Sequence, residues 1–192
     1  GQVWYENRHN NTEVYSVRQM AEPAIPAAPK FGGLVIAKVP GMNGSDGNVF
    51  FGEWAPRKGN PPQNSTDLNM ADGKRTVWYV GDNPTRNMPK LVNAKYNVLG
   101  VNKHTPGRND FYTGTLTANY GTGSGSLTGS ISRPGDSVNF AGTNIRSNGT
   151  FDNGKANEHI TGRFYGSGAE ALAGIVDRAG VDKDIAFGGR KQ

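Results

Sequence analysis

The chain has 192 residues, which is long enough for one large domain or two small ones with a hydrophobic core. With 28 glycines, 11 prolines, 34% hydrophobic residues and 19% charged residues, it is too neutral for a disordered segment and too glycine-rich for a helical bundle. There is no cysteine, which excludes disulfides and thiolate chemistry, and the net charge of +5 is spread over isolated basic doublets. We therefore expect a turn-rich, all-β protein that does not bind nucleic acid.

The first thirty residues carry the weakest pattern of the chain. The segment "AEPAIPAAPK" (21–30) resembles a Pro/Ala linker or an extended crossing segment. No apolar run approaches the roughly 20 residues of a membrane-spanning helix, and no signal peptide is recognisable. We expect a soluble or already processed chain.

Between residues 31 and 90, short aromatic-rich strands alternate with long polar loops. Strands are predicted at 31–39, 49–54 and 76–80, separated by loops at 40–48 and 56–75. This part holds a set of large aromatic residues: Phe50, Phe51, Trp54, Trp78 and Tyr79. In a small β domain such residues are needed for the core, and some of them could flank a planar ligand instead.

After residue 90 the chain predicts a meander of regularly spaced strands. The stretch "DFYTGTLTANYG" places Tyr112, Leu116 and Tyr120 on one face, with glycine and alanine between them and threonines opposite. An apolar face that alternates large residues with glycine is typical of the interior of a small closed barrel. The predicted strands are 94–103, 110–121, 124–133, 137–144, 147–152, 158–166, 171–177 and 183–188. The small residues of the last strands are expected to let the barrel close.

Several longer stretches resemble a known family. These are "VFFGEW" (49–54), "TVWYVGDNPTRNMP" (76–89), "AKYNVLGVN" (94–102), "YTGTLTANYG" (112–121), "GRFYGSGAEALAG" (162–174) and "DIAFGG" (184–189). They are similar to the hemophilin and Slam-dependent surface lipoprotein family, whose barrels look like those of transferrin-binding-protein-B-like proteins. The resemblance implies an N-terminal β-rich handle domain (1–90) followed by an eight-stranded antiparallel β-barrel (91–192).

The resemblance also implies a function. Hemophilins bind haem outside a Gram-negative cell, and they deliver it to a TonB-dependent outer-membrane receptor for iron acquisition. We therefore expect a secreted or surface-exposed, monomeric carrier of haem b that is exported by the Slam translocon and is not an enzyme. Other relatives bind host transferrin or complement regulators, or act in host association. In that alternative, loops 40–48 and 56–75 contact a host protein and no haem is bound.

A haem site needs an axial donor, flat apolar walls and cations near the propionates. In the loop "VNKHTPGRND", His104 is the predicted iron ligand, and Lys103 and Arg108 are the predicted propionate partners. The alternative for His104 is an ordinary exposed loop histidine. His9 is a possible second axial ligand, with a polar residue in a frayed terminus as the alternative.

The remaining candidates are weaker. His159 alternates with the apolar face of its strand and is expected to point to solvent, while Met42 or Met88 could cap a pocket. The glycine-rich run at 121–125 joins two strands and predicts a hairpin rather than a phosphate-binding loop. No hydrolase triad or metalloenzyme spacing is present. The acidic residues Glu53, Asp177, Asp182 and Asp184 could form a carboxylate pair only if the fold brings them together, because no sequence spacing indicates one.

Overall fold

The structure is a computed structural model that describes residues 3–21, 32–58 and 68–192. Most of the predicted Pro/Ala segment at 21–30 and the middle of the loop at 56–75 lie outside the described residues. In the described part, the ordered elements are strands and one short 3-10 helix, Val181–Lys183, which confirms the all-β class. The strands are β1 (Val3–Asn10), β2 (Glu13–Ala21), β3 (Gly32–Lys38), β4 (Val49–Pro56), β5 (Thr76–Gly81), β6 (Leu91–Val101), β7 (Tyr112–Gly121), β8 (Ser124–Arg133), β9 (Asp136–Asn139), β10 (Thr143–Arg146), β11 (Thr150–Asp152), β12 (His159–Tyr165), β13 (Ala171–Asp177) and β14 (Ile185–Lys191).

Strands β6 to β14 form a closed antiparallel barrel. They pair in the order β10-β11-β12-β13-β14-β6-β7-β8-β9, and an additional β8–β10 pairing closes the ring. Both β9 and β10 pair with β8, β9 along Ser130–Arg133 and β10 along Ser124–Leu127. They therefore share one position in the barrel, which confirms the prediction of eight strands. The predicted strand at 137–144 is in fact these two short strands, and the turn between them begins at Phe140.

The barrel interior is filled by side chains. The predicted inward residues of β7, among them Tyr112, Leu116 and Tyr120, are buried, as are Leu127 and Ile131 of β8. Rings from different strands meet edge to face, as between Phe140 and Phe187 with centroids 5.1 Å apart. The lumen is thus a packed core, and a ligand has to bind at an end or on an outer surface.

The N-terminal half forms a five-stranded antiparallel sheet in the order β1-β2-β3-β4-β5. Strands β3, β4 and β5 match the predictions within a few residues. The β1–β2 hairpin was not predicted, and His9 lies within it rather than in a frayed terminus. Its two-residue turn contains Asn11 with a φ of 58°, a left-handed conformation that asparagine tolerates better than most residues.

The inner face of this sheet packs on the outside of the barrel. A single buried cluster contains Tyr15, Val35 and Phe51 from the sheet together with Ala173 and Ala186 from the barrel. Small residues are needed here because the sheet approaches closely, and a Cβ on Gly188 would overlap the ring of Phe51. The sequence-based explanation of the small last strands is therefore incomplete. Their outward-facing small residues accommodate the N-terminal sheet.

The segment after β5 runs along the barrel. Thr85 donates from its backbone N–H to Phe164 at 2.9 Å and from its hydroxyl to the carbonyl of Gly166 at 2.5 Å. The "GDNPTRNMP" motif (81–89) thus connects the N-terminal sheet to the barrel by hydrogen bonds. The division of the chain into domains at residue 90 stays a prediction, since the sheets share a continuous buried interface. In the described parts of the chain, no helix has the length and apolar character to span a membrane.

Candidate functional site

A buried carboxylate, Glu53, joins the N-terminal sheet to two barrel loops. Its side chain accepts hydrogen bonds from Arg75 at 3.0 and 2.5 Å and from the backbone N–H groups of Lys103 and His104, both at 2.8 Å. The Arg75 guanidinium also donates to the carbonyls of Val181 and Asp184, each at 2.9 Å. Neither side chain of the Glu53–Arg75 pair is accessible to solvent. This network fixes the backbone of the loop that carries His104.

His104 is buried between two carboxylates. Its Nδ1 contacts Asp110 and its Nε2 contacts Glu6 of β1, while the imidazole stacks on Phe111 with ring centroids 4.3 Å apart. Burial lowers the pKa of His104, but the hydrogen bonds and charges of Asp110 and Glu6 outweigh it, so the pKa is raised. We call Glu6, His104 and Asp110 the His104 cluster. It ties the β1–β2 hairpin to the loop between β6 and β7.

The three residues predicted in this loop take different positions. Lys103 is half-buried, has a φ of 50°, and places its Nζ 3.9 Å from Asp182. Arg108 is exposed, and its backbone carbonyl accepts a hydrogen bond from Arg8 at 2.7 Å. Both ring nitrogens of His104 are occupied by carboxylates, so the imidazole does not offer a free donor to iron in this arrangement. That His104 binds iron stays a prediction.

The outer face of the N-terminal sheet presents apolar and aromatic side chains. The strand registers place Tyr5, Arg18, Ile36, Gly52 and Trp78 in one row across the five strands. The neighbouring row consists of Asn7, Ser16, Lys38, Phe50 and Val80. Tyr5 is 71% exposed and Val80 is 53% exposed. Exposed apolar side chains among polar ones on one sheet face are consistent with a binding surface.

Within this outer face lies a groove of about 320 Å³ between strands β1 and β4, where Tyr5, Ile36 and Phe50 contribute walls and Arg18 and Lys38 contribute cations. The Lys38 ammonium lies 5.8 Å from the centroid of the Phe50 ring. The indole N–H of Trp78 is buried, and it has no acceptor among the described residues. A buried donor without an acceptor is costly, and Trp78 is not one of the residues that line the groove.

The two histidines predicted as axial ligands lie on opposite sides of β1. Side chains alternate along a strand, so His9 projects to the outer face with Tyr5, whereas Glu6 projects inward to His104. His9 is exposed, and it has no hydrogen bond to any described residue. His9 and His104 therefore lie on opposite sides of the N-terminal sheet in this structure. That His104 and His9 are the two axial ligands of one iron stays a prediction.

The other sequence candidates have structural surroundings. His159 is partly exposed on the barrel, as predicted, and its Nε2 lies 3.0 Å from Asp152. Met88 packs against the barrel core, and Met42 packs against the cluster between the N-terminal sheet and the barrel. Both side chains therefore contribute to packing. In the described ranges, no group of three or more His, Asp and Glu residues has the geometry of a metal site.

Three contacts of this site were not predicted from the sequence. Arg75 binds Glu53, and both Glu6 and Asp110 contact His104. A usable signal was present in "VFFGEW", where Glu53 occupies the same strand face as the buried Phe51 and Ala55. A charged residue on the buried face of a strand predicts a buried ion pair. The contact between Glu6 and His104 joins residues far apart in sequence, and no local pattern marks it.

The architecture is a small β-sheet packed on an eight-stranded barrel with a filled lumen, a class of fold that does not by itself determine the function. Residues 86–191 match the family described as the HphA C-terminal domain. The chain belongs to the hemophilin family. Hemophilins are haem-binding carriers.

Proposed function

We propose that this protein is a haem carrier that binds haem b at the outer face of its N-terminal sheet. The observation that carries the proposal is the combination of groups on that one face: flat apolar side chains, an available imidazole at His9, and the cations Arg18 and Lys38. These are the three requirements of a haem site.

The described residues fit haem in chemical terms. Tyr5 and Phe50 provide planar apolar surface, and Ile36 lies between them in the groove. The cations at Arg18 and Lys38 would hold the propionate carboxylates. His9 would hold the iron. Bound haem would supply the iron-centred absorbance and the cargo itself, and the protein residues bind and orient it without a catalytic step.

The loop at 102–110 is the second candidate for the haem ligand. For His104 to bind iron through Nε2, the imidazole has to leave Glu6, and Glu6 then loses a charge-assisted contact in a partly buried position. His9 requires no such exchange. The outer face is therefore favoured, and Lys103 and Arg108 remain the propionate partners of the less favoured site.

The family supports a carrier role, and we propose the rest of the route on that basis. The protein would be secreted through the Slam translocon and act outside a Gram-negative cell as a monomer. It would transfer haem to a TonB-dependent receptor by direct contact, without turnover. The binding of a host protein instead of haem is the alternative for the same apolar face.

Titration of the purified protein with hemin, followed by absorbance in the Soret region, tests this proposal. We expect a saturable one-to-one shift in the wild type. His9→Ala should weaken haem binding or change the position of the Soret band, because the axial donor is lost. His159→Ala is the matched control, since it removes a histidine of the barrel, and it should leave the spectrum unchanged.

Two results would count against the proposal in different ways. If the wild-type spectrum equals the sum of the protein and free hemin spectra, haem is not the ligand, and the apolar face should be tested against host proteins. If His104→Gln abolishes the shift while His9→Ala leaves it intact, haem binds through the loop at 102–110. Circular dichroism of each variant shows whether the fold is retained.

A further inference from the structure

A second candidate site lies at one end of the barrel, away from the outer face of the N-terminal sheet. A cavity of about 640 Å³ opens there between the loop after β6, the β8–β9 turn, the loop before β12 and the β13–β14 connection. Its apolar lining is limited to parts of Tyr112, Pro134 and Ala179. The lining is predominantly charged, which does not suit a porphyrin.

The charges around this cavity do not cancel. Arg178 forms ion pairs with Asp136 at 2.5 Å and with Glu158 at 3.2 Å. Lys103 lies 3.9 Å from Asp182. The charges of the other two cations of the lining, Arg133 and Lys183, have no carboxylate partner among the described residues.

Arg133 is held rigidly with its charge unneutralised. Its guanidinium donates to the carbonyls of Asn102 and Asp110, both at 3.0 Å, and to the side-chain oxygen of Asn102 at 2.6 Å. It stacks over the ring of Tyr112 at 4.5 Å from the centroid. These contacts use three of the five guanidinium N–H groups, and all three acceptors are neutral. A fixed guanidinium with donors to spare is suited to an oxyanion.

The rim of the cavity also contains strained backbone. Lys103 and Glu158 both have positive φ values, 50° and 56°, although neither is glycine. Non-glycine residues in this region cost free energy and cluster at binding sites. At Lys103 the conformation is maintained by Glu53, which accepts its backbone N–H at 2.8 Å.

We propose that this cavity binds a small oxyanion, carried by a carboxylate- or phosphate-bearing molecule, between Arg133 and Lys183. The mixed lining favours a ligand with further polar groups, because Asp136 and Glu158 also line the cavity and present carboxylate oxygens. The site is independent of the haem proposal, and it is tested on haem-free protein.

Isothermal titration calorimetry at low ionic strength, with citrate and inorganic phosphate as separate probes, tests the proposal. Chloride at matched ionic strength serves as the reference for non-specific screening. We expect one-to-one binding of at least one probe. Lys183→Gln should weaken it by about fivefold, and Arg133→Gln, which removes a fixed donor, by about tenfold or more.

Lys95→Gln is the control, because Lys95 is an exposed barrel lysine that does not line the cavity. It should bind the probe as the wild type does. Binding of citrate but not phosphate assigns a carboxylate ligand, and the reverse assigns a phosphate ligand. The proposal is overturned if neither probe binds above the chloride reference. It is also overturned if Lys183→Gln, the surface variant with no structural contacts to lose, binds as tightly as Lys95→Gln.

Discussion

The substitution Glu53→Gln should destabilise the protein strongly, although it only replaces one carboxylate oxygen with an amide NH2 group. Glu53 neutralises Arg75, and both side chains are fully buried. The amide of glutamine has one acceptor oxygen where the carboxylate has two, and it adds two donors that face other donors. Arg75 then keeps its charge in the interior with only backbone carbonyls as partners.

The expected cost follows from the burial of the pair. Removing one partner of a buried ion pair costs about 3–5 kcal/mol, because the remaining charge is left uncompensated. For a protein of this size, 1 kcal/mol corresponds to about 2–4 °C in the melting temperature. We therefore expect a decrease of about 6–20 °C. The pair between Arg178 and Glu158 provides the contrast, because Glu158 is partly exposed and Arg178 keeps Asp136 as a partner, so Glu158→Gln should cost no more than about 1 kcal/mol.

Urea unfolding followed by tryptophan fluorescence measures the free energy of unfolding for both variants. The double variant Glu53→Gln/Arg75→Met completes a cycle, and it should recover part of the loss because no charge is then left buried. The reasoning is refuted if Glu53→Gln costs no more than Glu158→Gln. It is also refuted if the double variant is less stable than the sum of the two single variants predicts.

Two further predictions concern stability. The pKa of His104 is raised above its ordinary value of 6.5, so its ion pairs contribute in full below about that pH, and the contribution is lost as pH rises through the folded pKa. The melting temperature of the haem-free protein should fall above pH 6.5, and this pH dependence should be weaker in His104→Gln. If the pH dependence is the same in the variant, groups other than His104 cause it. Gly188→Ala should cost about 1–3 kcal/mol, because a methyl group there overlaps the ring of Phe51. Gly121→Ala, where a methyl group meets open space, is the control, and equal melting temperatures for the two variants would contradict the close packing of the sheet on the barrel.

The barrel was predictable because its strands have a local pattern. The alternation of large residues and glycine along β7 and β8 is visible within ten residues, and it predicts which side chains face inward. Strand ends were predicted less well where the chain bends. The two short strands β9 and β10 were predicted as one because both pair with β8, although Gly142, with a φ of 88°, marks the turn between them.

The β1–β2 hairpin was missed because its sequence is polar. In "ENRHNNTE" the charged and amide residues suggest a mobile terminus, yet Glu6 and Asn10 have specific partners on the barrel. Those partners, His104 and the carbonyl of Val98, come close only once the barrel has formed. A contact of this kind depends on the tertiary arrangement and has no signature in the local sequence.

The arrangement of β1 determines how the two histidines can act. One strand carries His9 on the face with the aromatic groove and Glu6 on the face with the His104 cluster, so the two sites share a backbone but no side-chain partner. Substitutions at sites that share no partner have additive effects on the free energies of unfolding and binding. If haem binds at the outer face, His104→Gln should lower the stability of the protein and leave haem affinity nearly unchanged, whereas His9→Ala should do the reverse. If instead the β1–β2 hairpin had to open to admit haem at His104, His104→Gln would change both the stability of the protein and its haem affinity.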